Sequence, residues 1–371
     1  MQRSIVCESG RKMATHSADV SYVTTAGTGH AELRWRPVSG SKAPNTASLV
    51  ELGDKVQQIV GRSSWWDRYG VDWCILSAGL GLAFLGMYLA SYQHPLLFAS
   101  GLLACGTGHW ILANKGAHLA VHGALAESRA VNAFAVWFMS ELAGAFTYKG
   151  GFDIHIKVHH PHTNIIGLGD SSSFRAPFLP KYVYMFCAPL LVPALAPLVS
   201  VQILWGQWAA MLSCVITMAT GLYINHFLLV HFSGFSVLGA AAFMLASRSI
   251  FGLPYIHVNI FQHIGLPMYS QETRPKRIQL MSTGVLNLSR NAVLDWVFGH
   301  SLISCHVEHH LFPTLSDNMC FKVRPVVRDY LTAHGLPYNE DSYTSRLRVF
   351  VEKYEEWMVK LPPITHFVGL Q

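Results

Sequence analysis

Apolar residues along this chain gather in stretches of about 20, the length a helix needs to cross a hydrocarbon core roughly 30 Å thick. Two of them, residues 73–91 and 95–114, are joined by Ser91-Tyr92-Gln93-His94-Pro95, a connector without Lys or Arg. That pattern predicts a helical hairpin with its turn on the non-cytosolic side. Three more stretches follow, at 182–203, 208–230 and 236–262. The first carries Pro189, Pro193 and Pro197, each of which removes a helical hydrogen bond. Residues 182–203 are therefore read as interfacial or re-entrant, with 208–230 and 236–262 as the second hairpin. The alternative pairs 182–203 with 208–230.

Around these stretches the pattern changes. Residues 48–72 alternate apolar and polar positions and include Trp65-Trp66, which fits an interfacial helix leading into the first span or a short soluble helix packed on a cytosolic cap. Residues 264–371 are mixed and charged, with a helical pattern around Arg346–Lys360 placed on the cytosolic side. Residues 1–47 are rich in Ser, Thr and Gly, without the apolar run of a signal peptide, and read as a mobile cytosolic tail. The expected division is a tail at 1–47, a membrane domain at 48–365 and a short tail at 366–371.

Composition agrees. Only 13% of the 371 residues are charged, against about 25% in ordinary soluble proteins, while 51% are hydrophobic. Of 27 Lys and Arg, nine lie in residues 1–72, seven in 73–263 and eleven in 264–371, so the +6 net charge flanks the apolar middle. Positive-inside topology accounts for that distribution, and no nucleic-acid-binding motif accompanies it. Seven scattered Cys form no Cys-x-x-Cys pair and imply neither a disulfide framework nor a zinc ribbon. The fold class that follows is an all-α integral membrane protein with four transmembrane helices in two hairpins and a cytosolic cap.

The unusual count is histidine: 20 against 21 acidic residues, with twelve of them in four short windows. His118 and His122 stand four apart, as do His155 and His159, with His160 beside them; His306, His309 and His310 follow the same logic. Spacings of three and four bring side chains to one helix face. Asn259 and His263 are also four apart, near the cytosolic end of the last apolar stretch. Neutral imidazole is a good donor for iron, copper, nickel and zinc. One tetrahedral zinc takes four ligands, so eight or nine histidines imply two metals. If windows on either side of the later apolar stretches meet at one site, an even number of crossings must separate them. Neither the Glu-x-x-His motif of carboxylate-bridged di-iron bundles nor a His-Glu-x-x-His zinc-protease motif occurs. A pH sensor or an unrelated set of surface histidines is the competing reading.

The order His-x3-His, His-x3-His-His and His-x2-His-His after a membrane hairpin resembles the three histidine boxes of the membrane fatty acid desaturases, over roughly residues 50–365. The local context is similar too, in His159-His160-Pro161-His162-Thr163-Asn164, Asp170-Ser171 and His309-His310-Leu311-Phe312-Pro313. The resemblance implies two irons held by His118, His122, His155, His159, His160, His306, His309 and His310, with His263 as a ninth ligand and Asn259 as the holder of a metal-bound water. It implies dioxygen as co-substrate, a fatty acyl substrate, and residence in the endoplasmic reticulum with both termini cytosolic. Three departures stand out: Leu119 where such boxes place an acid, His306 where front-end members begin the third box with Gln, and no His-Pro-Gly-Gly haem motif. The last implies a separate electron donor, cytochrome b5 with its reductase.

Unactivated C–H bonds lie beyond side-chain acids and bases, so the chemistry needs a redox metal. The expected function is oxygen-dependent desaturation of an acyl chain; the alternatives are lipid hydroxylation at the same centre and a non-catalytic metal-binding membrane protein. Glu308 is read as an acceptor for a ligand histidine. Lys149, Lys157 and Arg175 fit positive-inside charge better than a head-group site. His162, His226, His231 and His300 are read as structural or supporting, and His257 as off the ligand face. Arg248, inside an apolar stretch, must pair, face the interior or mark a shorter span. The sequon Asn287-Leu288-Ser289 is expected to stay unused.

Overall fold

A computed structural model of the chain describes residues 47–92, 94–166, 168 and 179–360. The expected tails, the Asp170-Ser171 pair and Arg175 lie outside these, apart from Ala47. The described chain is helical almost throughout; its one sheet is a parallel pair of two-residue strands, β1 (Asn287–Leu288) and β2 (Glu340–Asp341).

The first helix, α1 (Leu49–Arg62), starts where the Ser48 hydroxyl accepts a hydrogen bond from the Glu51 amide. Its buried face, Leu52 and Val56, packs on a long cap helix, Asp317–Ala333, and the Tyr330 hydroxyl accepts from the Ser48 amide and bonds to Glu51. Of the two readings of residues 48–72, the cap-docked helix is the one observed. The exposed Trp65 and Trp66 then lead directly into α2 (Trp66–Ala90), which begins before residue 73 because the helix runs on through Asp67–Gly70.

After the turn, α3 (Pro95–Val121) opens with Pro at its first turn, where no amide hydrogen is needed. It does not end near residue 114. Lys115, just past the predicted stretch, is buried and paired with two carboxylates, and the helix continues to the first histidine window. The hairpin closes through small residues: a Cβ at Gly101 would lie 2.6 Å from the Gly86 carbonyl oxygen, and one at Gly86 2.5 Å from the Cys105 amide nitrogen. A wide, π-helical segment, α4 (Gly151–His159), carries the second window.

Three further apolar helices follow: α5 (Val183–Ile203), α6 (Trp208–His231) and α7 (Val237–Phe261). Among the described residues five helices are thus long and apolar enough to cross a membrane, and four of them hold the four expected spans. The fifth, α5, is irregular as its prolines predict: wide over Val183–Cys187, tight over Ala188–Leu191 and regular only from Val192. Large side chains such as Phe84, Leu103, Leu198, Leu212, Tyr223 and Leu238 face outward, as lipid-facing positions do. The chain is an all-α integral membrane protein.

The polar cap is built from α8 (His306–Leu311), α9 (Asp317–Ala333) and α10 (Tyr343–Tyr354), closed by the β1–β2 pair. Its two apolar cores surround the third histidine window: Val307, Leu311, Met319 and Val323 lie in one, Phe261, Phe298, Ile303 and Phe350 in the other.

Candidate metal centre

Four elements bring nine imidazoles together. His118 and His122 come from the end of α3, His155 and His159 from α4 with His160 after it, His263 from just beyond α7, and the last three from α8. The rings form two adjoining groups. In the first, the Nε2 atom of His155 lies 3.1 Å from that of His118 and 3.0 Å from that of His122; His309 completes a set of four whose donor atoms all lie within 4.8 Å of one another. His160 joins this group, its Nε2 being 3.1 Å from His122 and 3.2 Å from His155. The second group is His159, His263, His306 and His310, with Nε2 separations of 3.1 Å for His159–His310 and 2.8 Å for His263–His306. The His160 and His310 ring centroids are 4.4 Å apart, so the groups touch.

The outer nitrogens explain the orientation of several rings. His306 Nδ1 donates to the Ser301 carbonyl at 2.8 Å and His263 Nδ1 to the Gly284 carbonyl at 3.2 Å. Thr163 Oγ1 donates to the His159 carbonyl at 2.7 Å, which leaves it free to accept from His310 Nδ1 at 3.4 Å. With their N–H groups directed outward, these rings turn bare nitrogens inward. Burial pushes His155, His160, His306, His309 and His310 well below the ordinary histidine range, so they stay neutral at pH 7. Among the described residues, neither nitrogen of buried His309 has a hydrogen-bond partner. Neutral nitrogens pointed at one another with no proton to share are a poor packing solution and a good donor set for a cation. Two such sets, with no carboxylate in either, fit two nitrogen-bound transition metals.

Asn259 is not in either group. It lines a cavity of about 100 Å³ beside His118 and His155, and its amide donates to the Tyr255 carbonyl at 2.9 Å. Three further histidines are held elsewhere. His257 bonds to the Met185 carbonyl and the Tyr343 hydroxyl, His226 to the Val237 carbonyl, and His300 to Ser304 while stacking on Phe321.

Glu308 departs from its expected role. It touches no imidazole: its carboxylate accepts from Tyr338 at 2.7 Å and from Asn287 at 3.1 Å, and burial raises its pKa to about 7. Its neighbours on α8 face the two histidine groups, and Glu308 fastens the opposite side of that helix to the strand pair. The same bonds bury Asn287 completely, which makes the sequon inaccessible in the folded chain.

Sequence reasoning missed the support behind His118. Lys115 Nζ lies 3.2 Å from Asp72 and 2.7 Å from Asp317, and all three side chains are about 1% exposed. Asp317 also accepts from the Ser301 amide at 2.8 Å, and Ser301 Oγ is 3.4 Å from His118 Nδ1. Burial alone would raise Asp317, but Lys115 holds it below its ordinary value as the ionised partner. Charges at 72 and 115, within or beside apolar stretches, were the available signal.

From the centre a row of cavities leads into the bundle. The one beside His118 and His155 shares Asn114, Phe146 and Tyr255 with a second, of about 90 Å³, which shares His109 with a third, of about 190 Å³. The lining of the third is largely apolar, as an acyl chain would need.

The fatty acid desaturase family model matches residues 93–342. Over 327 residues the chain is 52% identical to fatty acid desaturase 6 of Bos taurus, covering 88% of this chain and 96% of the relative. The Homo sapiens protein of the same name is 50% identical over 329 residues, 87% of this chain and 92% of the relative. A Delta(8)-fatty-acid desaturase of Borago officinalis is 28% identical over only 102 residues, 27% of this chain and 22% of the relative. Taken with the ordered histidine clusters at the ends of apolar helices, these matches show that the chain belongs to the fatty acid desaturase family.

Proposed function

We propose that the chain is a membrane-bound, oxygen-dependent di-iron fatty acyl desaturase. The observation that carries the reading is the pairing of two all-histidine groups at the mouth of a row of largely apolar cavities. His118, His122, His155, His160 and His309 would hold one iron; His159, His263, His306 and His310 would hold the other. When bound, such a pair supplies the oxidising power, drawn from dioxygen and two electrons, to remove two hydrogens from adjacent methylenes. The chain's own part is positional. Carbonyl and hydroxyl acceptors fix the rings, the buried cap excludes bulk water, and the cavities hold an acyl chain against the first group. Asn259, in the cavity beside His118 and His155, would hold a water there.

The same geometry supports the topology. The second and third histidine windows meet, so an even number of crossings separates them; α6 and α7 cross, and the broken α5 lies at the interface. The cap and both termini are then cytosolic, at the endoplasmic reticulum. The electron donor that membership of this family suggests is cytochrome b5 with its reductase. Expression in cells that lack the protein, with acyl chains profiled by mass spectrometry, tests this. A new unsaturated acyl species absent with the His309→Ala/His310→Ala variant is expected; a hydroxylated species, or an unchanged profile, would count against desaturation.

A further inference from the structure

The cavity of about 190 Å³ lies between α2, α3, α6 and α7. Its lining is apolar except at a few positions, of which His109, Asn225, Ser247 and Arg248 can hydrogen-bond strongly. Counting 1.5 Å per residue, His109 stands about 21 Å into α3 from Pro95 and Arg248 about 17 Å into α7 from Val237. Arg248 is therefore near the middle of a core about 30 Å thick, and His109 about two thirds of the way across it. Arg248 is only 7% exposed, and among the described residues its side chain has no hydrogen-bond or salt-bridge partner. No acidic residue lines the cavity. A guanidinium does not shed its proton, and an uncompensated one at this depth is costly to keep. The chain holds a cation, with a second basic side chain beside it, facing a cavity that contains no anion of its own.

On its other side Arg248 borders a groove of about 370 Å³ with Leu222, Tyr223, His226 and Leu245, where Tyr223 and Leu245 are exposed toward lipid. Through His109 the cavity adjoins the row that leads to His118 and His155. An amphiphile can thus arrive from the bilayer and lie on the route to the histidine groups.

We propose that Arg248, assisted by His109 and Asn225, binds the free carboxylate of a fatty acid inside the membrane bundle. A carboxylic acid crosses hydrocarbon as its neutral form, and once its proton has passed to bulk water the carboxylate pairs with the guanidinium through two parallel hydrogen bonds. A phospholipid phosphate has no neutral form near pH 7 and would have to carry its charge to mid-membrane. The inference needs no turnover and stands or falls separately from the desaturase reading.

The test is binding of oleate carrying a 13C carboxyl label to the full-length protein in phosphatidylcholine nanodiscs, read from the carboxyl resonance. Saturable binding is expected, with methyl oleate competing at least tenfold less well than unlabelled oleate. Arg248→Gln should weaken binding at least tenfold, and Arg248→Lys, which keeps the charge but not the two parallel bonds, should weaken it less. Equal competition by the ester, or undiminished binding to Arg248→Gln, would overturn the proposal. Stronger displacement by phosphatidic acid than by oleate would assign the site to a phosphate and overturn the carboxylate. If Arg248→Gln does not fold, the acid–ester comparison on the unaltered protein and the His109→Gln variant decide.

Discussion

Lys115 Nζ lies 2.7 Å from Asp317 Oδ2, across 202 residues of sequence, with both side chains shut away from solvent. This contact joins the second apolar helix to the cap, and Asp72 ties the first helix into the same pair at 3.2 Å. The Ser301 amide, bonded to Asp317, stands between the triad and His118. Removing Lys115 would leave two carboxylates buried without a cation. Lys115→Met is predicted to destabilise the protein by about 3–5 kcal/mol, whereas adding Asp72→Asn and Asp317→Asn to it should recover much of that loss. Thermal unfolding of the variants in detergent measures both.

Thr163 Oγ1 is the acceptor that aims His310. Thr163→Val keeps the volume and loses the hydroxyl, so iron affinity is predicted to fall about tenfold with little change in fold. Competition with a chelator on the purified variant gives the affinity. An unchanged affinity would mean the 3.4 Å contact does not orient the ring.

The hairpin seam at Gly101 has no room for a methyl group, since its neighbours are the backbone atoms of Gly86 and Ala90 at 2.6 Å. Gly101→Ala is predicted to cost about 1–3 kcal/mol by prising α2 from α3. Gly61, with no atom within 4 Å of an added Cβ, is the control, and Gly61→Ala should be neutral or slightly stabilising. Melting temperatures of the two variants should separate accordingly.

Tyr338 donates to Glu308 and accepts from Arg324, linking the third histidine window to the strand pair. Tyr338→Phe removes one buried donor to a carboxylate and is predicted to cost about 1.5–3 kcal/mol. The iron content should be unchanged, because Glu308 touches no imidazole. A loss of iron in folded protein would restore the role that its place in the sequence first implied.

The parts legible in the sequence were those set by local spacing. Residues four apart on a helix must share a face, so His118 with His122 and His155 with His159 could be paired before any fold was known. The prolines of α5 likewise announced its irregular path. What sequence spacing could not carry were partners far apart along the chain. Lys115 reads as the end of a span until Asp72 and Asp317 are found around it. Glu308 reads as a companion of its histidine neighbours until the helix is seen to turn it the other way, toward Asn287 and Tyr338. The entry helix α1 has an amphipathic pattern that suits a bilayer surface and a protein surface equally; only the cap helix supplies the apolar face it covers.

Two irons held by the two histidine groups is the proposal on which the desaturase chemistry depends. Its most direct test is the iron content of detergent-purified, monodisperse protein, measured by mass spectrometry alongside the His309→Ala/His310→Ala variant, which removes one donor from each group. Near two irons per chain are expected, with a large loss in the variant. Well-folded protein supplied with iron that carries none, or that carries the same amount with both histidines gone, would contradict it.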